Sequence, residues 1–291
     1  MPADRPLLGA IEAGGTKFVL GVGHGPGAII DQLQIATRDP ETTLAETNAF
    51  FERHAGLAAI GIGSFGPLER DCRSPQWGHI LATPKPGWSG FDLAGTVARA
   101  TGVPIAFDTD VNAAALAEAR LGAARDTGVS VYVTVGTGIG GGVIADGQIV
   151  GGTGHPELGH MRPRRNADDH GFDGICPFHG DCLEGLASGP AILARWGETL
   201  SHLPPDHAAH GIIAGYLAEM CNTLRAALAP DAIVLGGGVM ATPALFERVV
   251  AAAHASDGGY FALPAAEVIR RPALAPTSGL AGAFLLAADL L

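Results

Sequence analysis

Apolar residues recur along this chain in two rhythms, at every second position in short runs and at every third or fourth in longer ones, and clusters of glycine mark the changes between them. Residues 8–12 and 18–22 are apolar runs joined by Ala13, Gly14, Gly15, Thr16 and Lys17, which predicts a strand, a tight turn and a second strand. The same design returns at 131–149. Val131, Val133 and Val135 alternate with Tyr132 and Thr134, the run breaks at Gly136, Gly138, Gly140, Gly141 and Gly142, and it resumes at Val143, Ile144 and Ala145 before a turn at Asp146 and Gly147. Further strands are predicted at 28–36, 58–64, 103–107, 232–235 and 267–270. Helices are predicted at 42–54, 91–101, 111–121 (closed by Gly122), 189–200, 211–229, from about Thr242 and Pro243 onward, and at 278–291. Residues 65–67 make a turn, and the stretch through Trp77 and residues 83–88 lacks a period, so it is expected to be a surface loop beside a cleft. Strands alternating with helices give an α/β chain, and two strand-glycine-strand units half a chain apart predict an internal duplication.

Composition sharpens this picture. The 291 residues suffice for two domains, and 47% apolar residues with 6% aromatic and 43 glycines favour tightly packed α/β layers over disorder or coiled coil. A net charge of −11 without a basic run argues against nucleic acid as a partner. No run reaches the roughly 18 apolar residues of a membrane span, and the first residues carry no signal-peptide pattern, so a cytoplasmic protein is expected. In that reducing setting the four cysteines are expected to be thiols or metal ligands.

Glycines without side chains let backbone N–H groups close around an anion, so the turns at 14–17 and 136–142 are candidate phosphate cradles. Residues 136–141 also fit G-x-G-x-x-G, but a strand follows them where a dinucleotide-binding fold needs a helix, and no G-x-x-x-x-G-K-[ST] occurs. A third glycine turn, Gly236, Gly237 and Gly238, follows the strand at 232–235 and permits close approach of a flat ring or a phosphate. The strand at 103–107 delivers Asp108, Thr109, Asp110, Val111 and Asn112 at its C-terminal end. Asp110 there either caps the next helix or faces a substrate hydroxyl. Cys176, His179 and Cys182 have the two-residue gaps of a zinc knuckle, with His160 or His170 as the fourth ligand. The alternative is an unmetallated surface loop, but a segment this rich in Gly, Asp and Pro has little core to hold it without a metal.

Assembled, these residues resemble the ROK family of sugar kinases and repressors, and most closely its bacterial fructokinase branch, over essentially the whole chain. Glu12 to Lys17 and Gly136 to Gly142 match the two phosphate motifs, Thr109 to Asn112 the catalytic-base segment, Glu157 to His160 the sugar and zinc motif, and Leu235 to Gly238 the adenosine motif. The resemblance implies an actin-like, hexokinase-type (ribonuclease H-like) α/β fold of two domains, 1–115 and 116–291, around a central cleft, with an inserted zinc loop at 155–184. It implies Asp110 as general base, with Thr109, Asn112, Glu157, His160 and Glu184 toward the sugar. ATP with Mg²⁺ would lie on Glu12, Gly14, Gly15, Thr16, Lys17, Gly136, Thr137, Gly138 and Gly140, with Gly236, Gly237 and Gly238 against the adenosine. A structural zinc would be held by His160, Cys176, His179 and Cys182. Many relatives carry Cys-x-Cys-x₄-Cys where this chain has Cys-x₂-His-x₂-Cys, and Asp where it has Glu12; both variants are familiar in the fructokinase branch. The expected activity is phosphorylation of fructose by a homodimer. Glucose, mannose or an N-acetylated hexosamine are the alternative acceptors, and a non-catalytic sugar-binding protein is a further alternative. A repressor needs an N-terminal DNA-reading domain, for which the segment before Glu12 leaves no room.

Overall fold

The computed structural model describes residues 5–152, 154–166, 168–169 and 171–291. The chain divides into two compact units, Met1–Ala117 with Gly151–Gly154 and Pro276–Leu291, and Glu118–Val150 with His155–Ala275. The motifs suggest a division at 115/116; the compact units change at Ala117 and Glu118, and the last sixteen residues pack with the first unit.

In unit 1, β1 (Leu7–Ala13) and β2 (Lys17–Gly23) form an antiparallel hairpin with Ala13 opposite Phe18. β3 (Ile29–Ala36) adds antiparallel to β2, while β4 (Leu57–Ser64) and β5 (Ile105–Thr109) add in parallel on the other side, giving the order β3-β2-β1-β4-β5. Central strands covered on both faces read as continuous apolar runs, as β1, β2 and β4 do, whereas edge strand β3 buries little besides Ile35. Helix α1 (Pro40–Glu52) begins earlier than its apolar period suggests, because Asp39 caps it by accepting the Thr42 N–H at 2.9 Å and Pro40 occupies the first turn. α2 (Leu93–Thr101) is capped by Asp92 and closed by Gly102, and α3 (Asp110–Leu121) follows β5 directly.

The stretch expected to be a surface loop is partly core. Trp88 and Ile80 are fully buried, and Trp88 packs against Phe18, Phe65 and Phe91. The loop goes inside because the indole N–H finds an acceptor there, the Arg38 carbonyl at 2.8 Å, so a large ring is buried without stranding its one polar atom.

Unit 2 repeats the plan. β6 (Val129–Val135) and β7 (Ile139–Ala145) form the hairpin, β8 (Gln148–Ile149) extends it, and β9 (Ala232–Gly236) and β10 (Ile269–Arg270) add in parallel. The order β8-β7-β6-β9-β10 has the strand directions of β3-β2-β1-β4-β5, so the predicted duplication is a duplication of sheet topology. α4 (Leu183–Ala187), α5 (Gly189–Trp196), α6 (Ala208–Leu228), α7 (Leu245–Ser256) and α8 (Ala265–Val268) surround this sheet. Ile213, Tyr216, Leu217 and Leu224 of α6 share one core with Val131, Val133 and Val135, each such side chain contributing about 1.5–3 kcal/mol on burial.

Other boundaries also differ from the periodic reading. The strand expected at 267–270 is a helical turn followed by two paired residues, since only Ile269 and Arg270 face β9. The helix expected from Thr242 starts at Leu245, after a left-handed Ala244. The helix expected to reach residue 200 stops at Trp196, where left-handed Gly197 caps it. The last helix, α9 (Ser278–Ala288), packs in unit 1 against β1 and β4 so closely that a Cβ on Gly61 of β4 would stand 1.9 Å from the Ala283 carbonyl oxygen. Among the described residues no helix is long and apolar enough to cross a membrane.

Candidate active site

The candidate residues divide between the units, and each group has its own local logic. In unit 1 the turn between β1 and β2 is fixed through its carbonyls. The Gly14 N–H bonds the Lys17 carbonyl at 2.9 Å, the Thr37 hydroxyl donates to the Gly14 carbonyl at 2.7 Å, and the Thr37 N–H donates to the Thr16 carbonyl. Lys85 donates from Nζ to the Gly15 carbonyl at 2.6 Å and to the Thr37 carbonyl at 3.2 Å. Among the described residues no acceptor takes the Gly15 or Thr16 N–H, which is what an anion cradle needs. Lys17 instead sends its ammonium to Gln34 Oε1 at 3.3 Å. Glu12, next to last in β1, places its side chain in space that exists because Gly279 has none. Burial raises its pKa, opposed by Lys17 and by a hydrogen bond from the Leu280 backbone, so the site favours a cation close to this carboxylate.

The start of α3 separates two roles that the sequence leaves entangled. Thr109 is the cap: its hydroxyl accepts the Asn112 N–H at 3.1 Å, and it is 2% exposed. Asp110 lies inside the first turn, with Oδ1 accepting the Val111 N–H at 2.9 Å. Asp108 is fully engaged. Arg70 donates to its Oδ2 at 2.6 Å, and its Oδ1 accepts from Thr109 N–H and Asn112 Nδ2 at 2.7 Å each. Arg70 was not legible as a site residue, because nothing in the sequence around it points 38 positions ahead.

In unit 2 the glycine turns after β6 and β9 lie against each other. A Cβ on Gly237, which has φ of 95°, would fall 2.4 Å from Val135 backbone atoms, and one on Gly136 would lie 3.9 Å from the Gly238 nitrogen. The glycine turn after β6 is closed by the Gly136 N–H to the Gly138 carbonyl at 2.8 Å, with Thr137 at its tip and Gly140 already within β7. Glu184, at the start of α4, accepts the Ile139 N–H at 2.9 Å and lies beside Gly138. Glu157 is paired with His155 at 3.0 Å, and that hydrogen bond lowers its pKa, so it is held as a carboxylate. His155 has no sequence signal of its own beyond lying two residues from Glu157.

His160, Cys176, His179 and Cys182 come together with all four donor atoms within 4.8 Å of one another. Cys176 Sγ lies 3.8 Å from His160 Nδ1 and 3.7 Å from His179 Nδ1, and Cys182 Sγ lies 3.6 Å from His160 Nδ1. Tetrahedral zinc, with Zn–S of about 2.3 Å and Zn–N of about 2.0 Å, sets sulfur-nitrogen edges of about 3.5 Å, so this donor set fits zinc. Both sulfurs are buried, and burial, with Cys176 alongside, pushes the Cys182 thiol up to about 11, an environment in which a thiolate needs a cation. His170 lies outside the described residues. The segment leading into this loop is anchored by buried Asp169, which accepts the Tyr216 hydroxyl and pairs with Arg165 and Arg195.

The ROK family model matches residues 8–290. The chain is 44% identical to a fructokinase of Zymomonas mobilis over 99% of this chain and 98% of the relative, and 44% identical to a fructokinase of Pediococcus pentosaceus over 97% of each. Among solved structures it is similar to a ROK hexokinase from Thermus thermophilus, with a TM-score of 0.79 and 31% identity over 98% of both chains.

Proposed function

The chain belongs to the ROK family, and from that premise we propose that it transfers the terminal phosphoryl group of ATP to fructose, giving fructose 6-phosphate and ADP, with Asp110 as general base. The observation that carries the assignment is the division of labour at α3: Thr109 caps the helix, so Asp110, at the C-terminal end of a parallel strand, is not needed for capping. Asp110 takes the proton of the attacking hydroxyl as the new oxygen-phosphorus bond forms, and the bond to the bridging oxygen of ADP breaks with its electron pair leaving on ADP. Gly15 and Thr16 offer their backbone N–H groups to the phosphates, Gly14, Lys17, Gly136, Thr137, Gly138 and Gly140 shape the two turns on which the phosphates lie, and Gly236, Gly237 and Gly238 admit the adenosine. Mg²⁺ bound with ATP would neutralise phosphate charge, with Glu12 as the carboxylate that orients its water. Asn112, Glu157, His160 and Glu184 would contact sugar hydroxyls, and Thr109 contributes by holding the turn. His160, Cys176, His179 and Cys182 would hold a structural zinc, which would fix the orientation of the segments that carry Glu157 and Glu184. A cytoplasmic homodimer is part of the same reading, and light scattering on purified protein checks the assembly.

ADP release over a panel of hexoses tests the acceptor. Fructose is expected to exceed glucose in kcat/KM by about tenfold or more, since a site built for one pattern of hydroxyls leaves polar groups unpaired with another. Equal or better use of glucose or mannose would replace the acceptor and leave the kinase in place. No ADP release with any hexose would leave a sugar-binding protein without catalysis.

A further inference from the structure

The chain has 18 Lys and Arg, of which only Lys17 and Lys85 are lysines, and both lie at the first phosphate turn. Everywhere else this protein uses arginine. Lys17 begins β2 and its ammonium is turned to Gln34. Lys85 arrives from 70 residues downstream and places Nζ on Gly15, within the turn itself.

The loop that brings it is pinned on both sides. Trp88 is buried with its indole N–H on the Arg38 carbonyl, and the Ser89 hydroxyl accepts the Thr83 N–H at 3.0 Å and donates to the Thr83 carbonyl at 2.8 Å. Lys85 is therefore carried on a staple closed before and after it. Its ammonium gives two donors to the Gly15 and Thr37 carbonyls, and among the described residues no carboxylate stands within ion-pair distance. Carbonyl dipoles orient an ammonium without cancelling its charge, and a half-buried cation without a counter-ion favours an anion beside it. The third donor remains for that anion, and the compact ammonium rotates to meet it where the planar guanidinium of arginine has fixed donor directions. The adjacent N–H groups of Gly15 and Thr16 face the same requirement from the other side, donors lacking an acceptor. Fructose is uncharged, so the anion is phosphate.

We propose that Lys85 is a catalytic residue of the phosphoryl transfer, supplying the positive charge at the first phosphate turn and contacting the transferred phosphoryl group. The inference rests on the kinase reading above and adds to it the residue that neutralises charge developing on the phosphoryl oxygens.

The test compares the parent with Lys85→Met and Lys85→Arg. Steady-state kcat and KM for ATP and fructose are measured alongside calorimetric affinities for ATP and ADP, with melting curves confirming that all three fold. Lys85→Met is expected to lower kcat/KM for ATP about 100-fold and to weaken ATP about tenfold, while ADP affinity stays within about twofold. Lys85→Arg, which keeps the charge, is expected to recover about a tenth of the parent rate or more. A Lys85→Met rate within about threefold of the parent would overturn the proposal. So would equal impairment of the Met and Arg variants with ATP and ADP weakened alike, because that is the signature of a residue that only staples the loop to the turn. A parent that binds ATP but phosphorylates no hexose would sink the kinase reading alone, and the ATP-to-ADP affinity ratio of parent against Lys85→Met would still decide Lys85.

Discussion

Thr109 and Asp110 are neighbours able to perform each other's structural task, and replacing them one at a time separates cap from base. Thr109→Val keeps shape and removes the hydroxyl that accepts the Asn112 N–H at 3.1 Å, leaving a buried donor unsatisfied. Such a loss costs about 1–3 kcal/mol. At about 2–4 °C per kcal/mol for a protein of this size, Tm falls by roughly 2–12 °C. Asp110→Asn keeps an oxygen for the Val111 N–H and a side chain that suits a helix start as well as aspartate does, so Tm moves by no more than about a degree or two. Asparagine accepts no proton at neutral pH, and losing a general base costs about 10²- to 10⁴-fold in kcat. Melting curves and saturating turnover on the two variants therefore give opposite patterns: Thr109→Val loses stability with a far smaller loss of rate, and Asp110→Asn loses rate with stability intact. Retention of more than about a tenth of kcat by Asp110→Asn would refute the base assignment. Asp108 offers no easy substitute, since Arg70, Asn112 and the Thr109 N–H already occupy both of its oxygens.

The zinc proposal predicts about one zinc per chain by elemental analysis, with Cys176→Ser and Cys182→Ser each losing the metal, melting lower and raising KM for fructose; purified protein free of zinc and unaffected by either substitution would dismiss it. Arg70→Met leaves the Asp108 carboxylate, 6% exposed, without its 2.6 Å partner, and a cost of about 3 kcal/mol is expected in urea unfolding, partly recovered when Asp108→Asn is added. A change below about 1 kcal/mol would mean that the hydrogen bonds from Thr109 and Asn112 suffice to hold that carboxylate.

Much of this architecture was legible because it is encoded between near neighbours. The hairpins at 7–23 and 129–145 announce themselves by alternation broken at glycine, since strand and turn are decided over a few residues by side-chain period and by where a Cβ is tolerated. The duplication followed from finding that pattern twice, and three of the four metal ligands lie within seven residues, so their spacing was visible at once. Helix ends were read less well where the deciding residue lay outside the apolar period, as Asp39 does for α1 and Ala244 for α7.

What tertiary structure decided is the pairing of groups that the chain keeps far apart. Thr109 and Asp110 are both favourable caps by residue type, and only the pairing of β5 with β4, which carries Thr109 opposite Ser64, sets where the strand stops and which side chain meets the Asn112 N–H. His160 joins the metal cluster across sixteen residues from Cys176 because Leu183 N–H bonds the Met161 carbonyl and draws the two segments together. With 16 arginines in the chain, no local rule selects Arg70 for Asp108, and none sends Lys85 to Gly15. Charges of one kind are interchangeable along a sequence. They acquire distinct roles when folding lowers the local dielectric and fixes which counter-charge, carbonyl or amide each one can reach.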